Sequence, residues 1–151
     1  MTERVDFYVL KSSTAKQRWT FACRLTEKAY LRDLKVVLLG DTPAEVEAID
    51  ALLWTFSERS FVPHDIRRGR PSAAGPAPAV ELTQDLDSVE SADLLVNVSA
   101  RLPAGFDRFA RIAEIIDADD ERRRLGRERF KAYRELKFAV ETHQLDDAAG
   151  A

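Results

Sequence analysis

The run Val36-Val37-Leu38-Leu39 is apolar at every position and is followed, after Gly40-Asp41, by Thr42-Pro43-Ala44-Glu45. Four apolar residues are too few for a helix and are good strand formers, so the run reads as a strand. Thr42 can cap a helix, Pro43 suits its first position and Glu45 can reach back to the cap, which predicts a helix from this point to about Phe56. A strand that leads straight into a marked helix is the repeating unit of a parallel sheet.

The same alternation recurs along the chain. Phe7-Tyr8-Val9-Leu10 reads as a strand, and Thr14 with Gln17 three residues later opens a predicted helix through Trp19, Leu25 and Tyr30. Ser60-Phe61-Val62-Pro63-His64 is expected to be a short extended segment closed by its proline. Residues 67–79, rich in Arg, Gly, Pro, Ser and Ala, offer little to bury and read as a loop. Further strands are predicted at Val80-Glu81-Leu82, at Asp93 to Val98, which is apolar on both faces, and at Ala110 to Ile116. A last helix is expected to begin between Asp117 and Asp120 and to continue to about His143. Together these elements predict a three-layer α/β domain, Rossmann-like, with a mainly parallel sheet, spanning residues 1–145, and a frayed tail over 146–151.

Composition narrows the function. A chain of 151 residues can bury one core without disulfides or metal. A net charge of -3 argues against a chain whose main task is to grip nucleic acid. The lone Cys23 sits in a helical pattern and reads as a small buried side chain in a reducing compartment. The amino terminus lacks the pattern of a signal peptide and no run is long enough to span a bilayer, so a cytoplasmic location with no membrane partner is expected.

Chemistry is sparse. In open α/β sheets ligands sit beyond the carboxyl ends of strands, here Lys11 to Thr14 and Gly40 to Thr42. Neither stretch carries the closely spaced glycines of a phosphate-binding loop, so no nucleotide cofactor is expected. His64 and His143 are far apart and no Cys or His cluster has metal-ligand spacing, so no metal is expected either. A small hydrolase or nuclease using His64 with Asp41 or Asp93 is the catalytic alternative; otherwise His64 closes the Phe61 to Pro63 segment through hydrogen bonds.

Two surfaces have the make-up of interaction sites. In the helix after Thr42, the residues Val46, Ile49, Leu53 and Phe56 share one stripe, whereas Trp54 lies away from it, near Glu47 and Asp50. With Phe61 and Pro63, Trp54 is either an interface anchor or a satellite core under the 67–79 loop. The last helix carries Arg122, Arg123, Arg124, Arg127, Arg129, Lys131, Arg134 and Lys137 against Glu128 and Glu135. Arg123, Arg127, Phe130, Lys131 and Arg134 converge on one face, and Leu125, Ala132, Leu136 and Ala139 are expected to be buried on the other. A basic face around one aromatic suits an acidic peptide with an apolar residue. Single-stranded nucleic acid and bulk solvent are the competing occupants.

Phe7-Tyr8-Val9-Leu10, Leu52-Leu53-Trp54, Ser60 to His64, Asp93 to Asn97, and Arg127-Glu128-Arg129-Phe130-Lys131-Ala132-Tyr133-Arg134 together resemble the chi subunit family of bacterial DNA polymerase III holoenzyme. The resemblance spans nearly the whole chain. It implies a Rossmann-like fold without a phosphate loop, no catalysis, and two partners. One is the psi subunit of the clamp loader, contacted through Trp54, Phe61 and Pro63. The other is the acidic, phenylalanine-ended C-terminal tail of single-stranded-DNA-binding protein, contacted through Arg123, Arg127, Phe130, Lys131 and Arg134, so that association with DNA is indirect. Phe130 stands where a tyrosine is familiar in that family, which removes a phenolic hydrogen bond and keeps the apolar floor.

Overall fold

A computed structural model describes residues 2–57, 62–66, 79–87, 89, 92–102 and 104–145. Among these residues seven strands form one sheet: β1 (Arg4–Leu10), β2 (Val36–Leu39), β3 (Asp65–Ile66), β4 (Val80–Thr83), β5 (Ala92–Asn97), β6 (Phe109–Ile116) and β7 (Ala139–Leu145), in the order β3-β4-β2-β5-β6-β1-β7. Every pairing is parallel. The helices are α1 (Ala15–Leu31), α2 (Pro43–Thr55) and α3 (Asp120–Glu135).

The caps read from sequence are in place. The Thr14 hydroxyl accepts from Gln17 N and the Thr42 hydroxyl accepts from Glu45 N, with Pro43 in the first turn of α2. Glu45 differs in one respect: its carboxylate takes the amide of Asp41 at 2.7 Å.

All four residues of β2 are fully buried, because the sheet is covered on both sides. Burying each of these side chains contributes roughly 1.5–3 kcal/mol. On one face α1 and α2 bring Ala22, Cys23, Ile49 and Leu53 against Leu38, Val96 and Ile115. On the other, α3 brings Tyr133 and Phe130 against Val5, Phe7 and Ile112, alongside Leu86 and Phe106 from the connections. Cys23 is buried, and that burial pushes its thiol up to about 12.

The short strand β3 lies at Asp65–Ile66, directly after the segment expected to be extended; Val62 to His64 precede it without regular secondary structure, while Ser60, Phe61, residues 67–78 and the 146–151 tail lie outside the described residues. One expectation is corrected. The last helix ends at Glu135, and the stretch expected to carry it on to His143 is instead strand β7, paired with β1 from Arg4↔Ala139 to Leu10↔Leu145.

The helix stops because Lys137 takes a left-handed conformation, φ 65°, so that its amide donates to Arg134 O at 2.9 Å and the Phe138 amide to Tyr133 O at 3.3 Å. These are the two bonds of a Schellman cap, completed by the Phe138 ring beside that of Tyr133 at 6.4 Å between centroids. Asp33, φ 62°, ends α1 in the same way, its amide donating to Tyr30 O and that of Leu34 to Ala29 O.

Candidate functional site

α3 meets the sheet at Gly126. A Cβ there would lie 2.4 Å from Ile116 Cδ1, so the absence of a side chain lets the helix lie close on β6. The close approach leaves a groove of about 270 Å³ between α3 and the strands β1 and β7. Phe7, Val9, Ile116 and Phe130 give it an apolar floor, Thr142 and Gln144 of β7 form the far wall, and Arg123 and Arg127 stand on the rim. The Phe130 ring meets Phe7 edge-on at 5.3 Å, and the Arg134 guanidinium lies 5.8 Å from the Phe130 centroid.

The cations of α3 divide by their commitments. Arg123 donates to the carbonyl oxygens of Leu10 and Asp117, at 3.3 and 3.4 Å. Arg124 pairs with Glu121 and Glu128 on the exposed side. Arg122 reaches Val98 O and Asp41. Arg127 and Lys131 are exposed and, among the described residues, make no hydrogen bond or ion pair. The structure therefore brings Arg123, Arg127 and Phe130 to one groove, with Lys131 and Arg134 on the same helix beyond its lining.

The opposite face of α3 is not the apolar stripe expected from the helical wheel. Gly126, Arg129 and Tyr133 are the buried residues, Leu136 is 53% exposed, and Ala139 belongs to β7. Arg129 is withdrawn from the basic face because Glu114 lies fully buried beneath it: the two meet at 3.0 Å, and Arg129 also donates to Ala100 O at 2.6 Å. Glu114 accepts further bonds from the Tyr133 hydroxyl at 2.7 Å and from Asn97 at 3.0 Å. Burial raises the Glu114 carboxyl even against the opposing pull of Arg129, and burial with the Glu114 charge raises the Tyr133 phenol. The Glu114 network was not read from the sequence; the one signal for it is a lone charged residue in the apolar run Ile112-Ala113-Glu114-Ile115-Ile116.

On the other face of the sheet, Val46, Ile49 and Leu53 of α2 are buried while Trp54 is 47% exposed. Its indole lies against the ring of His64 at 4.2 Å between centroids. The His64 side chain is fully buried: Nδ1 is 2.6 Å from Val62 O, and Nε2 is 3.1 Å from both the carbonyl and the carboxylate of Asp50. Val62 is buried and Pro63 half-buried beside it; Phe61, the third residue of this expected site, lies outside the described residues. His64 is thus not joined to Asp41 or Asp93. Asp41 accepts from Ala100 N and faces Arg101 and Arg122, and Asp93 accepts from Lys35 N at 2.7 Å.

The crevice beyond β1 and β6, where the chain leaves in opposite directions through α1 and α3, is closed. The Ala118 amide donates to Ser12 O, and Arg18 spans Asp117 and Glu45. Burial alone would raise the Glu45 carboxyl, but the Asp41 amide, the Trp19 indole and Arg18 hold it below its ordinary value. Carboxylates thus occupy the place where a phosphate loop would receive an anion. Asp6, Glu141 and His143 bring ligand atoms within 4.8 Å of one another, and sequence spacing alone did not reveal them. Arg4, bonded to both carboxylates, and Arg111 already neutralise that cluster.

Residues 1–141 match the family model described as DNA polymerase III chi subunit, HolC. The chain is 32% identical over 142 residues to the DNA polymerase III subunit chi of Pseudomonas aeruginosa, covering 94% of this chain and 96% of that protein. It is 25% identical over 145 residues to the protein of the same name from Haemophilus influenzae, with 96% and 99% covered. With that of Escherichia coli K12 the identity is 24% over 144 residues, with 93% and 97% covered.

Proposed function

The chain belongs to the DNA polymerase III chi subunit family, and we propose that it acts there as a non-catalytic adaptor joining a psi-like clamp-loader subunit to the acidic tail of single-stranded-DNA-binding protein. The observation that carries this reading is the α3 groove, an apolar floor with the Arg127 guanidinium, unpaired among the described residues, on its rim. An acidic peptide ending in phenylalanine has the matching parts: a ring for the floor and carboxylates for Arg123, Arg127, Lys131 and Arg134. Trp54 with Pro63 and Phe61 forms the psi-like contact, supported by the half-exposed indole on a buried histidine.

Neither contact makes or breaks a bond. A weak tail contact combined with a firmer apolar one raises the effective concentration of polymerase machinery at coated single strands.

Calorimetry with a synthetic acidic peptide ending in phenylalanine tests the groove. Arg127→Glu is expected to cost at least about 1.5 kcal/mol of binding while the variant remains folded. Wild-type affinity is expected to fall as salt rises, because the rim charges are accessible to solvent. Equal affinity of the two folded proteins would remove the tail from this groove.

A further inference from the structure

β7 forms one edge of the sheet and, among the described residues, pairs with β1 alone. Parallel pairing directs about half of a strand's peptide groups toward its neighbour, so the remaining amides and carbonyls of β7 point outward from the sheet. Natural edges are ordinarily blunted by short length, proline or lysine. The opposite edge, β3, has only two residues. β7 instead runs for seven, Ala-Val-Glu-Thr-His-Gln-Leu, without proline, glycine or lysine.

This open edge borders the α3 groove. Thr142 and Gln144, which line the groove, are uncharged. The charged member of the strand, Glu141, is bound to Arg4, and His143 to Asp6, on the face of the sheet away from α3. A negatively charged chain lying along β7 on the groove side therefore meets hydroxyl and amide groups beside it and Arg123 and Arg127 across from it.

We propose that the acidic peptide taken by the groove binds as an eighth strand, pairing its backbone with the outer edge of β7 while its terminal ring enters the apolar floor. The proposal rests on the groove reading above and adds the backbone mode of recognition. Main-chain pairing holds the peptide regardless of its sequence, whereas the floor and the arginine rim select its end and its charge. It also gives the long unblunted edge an occupant.

The two claims separate in one titration series on the whole protein. The probe is a synthetic octapeptide of aspartate and alanine ending in a free-carboxylate phenylalanine, prepared unmodified and with each backbone amide methylated in turn. Strand pairing predicts that methylation weakens binding about tenfold at alternate amides and leaves the intervening ones unaffected. If all methylated peptides bind as the parent does, and the parent still loses affinity with Arg127→Glu, the pairing is overturned and the groove stands. If the parent does not bind, or binds Arg127→Glu equally well, the groove reading fails and the pairing fails with it.

Discussion

Arg127 and Arg129 sit two positions apart on the same helix and have opposite fates. Arg127 projects from the groove rim without a partner among the described residues, whereas Arg129 is 4% exposed and spent on Glu114 and Ala100 O. Helical rotation of about 200° between them is the whole cause. Removing one member of a buried ion pair leaves the other desolvated and unpaired, so Glu114→Leu is expected to lower stability by about 3–5 kcal/mol in urea denaturation. Adding Arg129→Met should recover much of that loss. A Glu114→Leu protein as stable as the wild type would mean that the network contributes little. Sequence alone placed Arg129 among the surface cations because charge count and helical phase carry no record of a carboxylate on a strand fifteen residues earlier. Arg123, Arg127 and Phe130 were legible because their phase is local to one helix.

Among elements, the βα units read correctly wherever their boundaries are written in local chemistry. Thr14 and Thr42 cap their helices as their sequence contexts imply, and the all-apolar β2 lies inside a covered sheet, flanked by β4 and β5. β7 was missed for an equally local reason. The Schellman turn that ends α3 ordinarily carries glycine at the left-handed position, and here it carries Lys137, so no stop signal interrupts the helical pattern. A non-glycine residue in that conformation costs about 1–2 kcal/mol, so Lys137→Gly is expected to raise the denaturation midpoint by an amount equivalent to about 1 kcal/mol. A lowered midpoint would show that the lysine side chain contributes more than its backbone costs. The consequence reaches the site: without the turn at Lys137 there is no β7, and without β7 the groove has no far wall.

At the scale of the molecule the two candidate surfaces are well separated. Trp54 belongs to α2, on the sheet face shared with α1 and near β3 and β4; the α3 groove lies on the other face beside β7, at the other end of the strand order. The closed crevice at the ends of β1 and β6 is filled by Arg18, Glu45 and Asp117, which tie α1 to α2 and to the turn after β6 where open α/β sheets ordinarily receive ligands. On the function proposed above, a chain with this layout can hold both partners at once. The direct measurement is a bridging assay: an acidic phenylalanine-ended peptide fixed to a surface, this chain, and a psi subunit in solution. Psi is expected to be retained only when the chain is present, and either Arg127→Glu or Trp54→Ala should abolish retention while leaving the other half of the bridge intact. Retention untouched by both folded variants, or a peptide and psi that displace each other from the chain, would contradict the account.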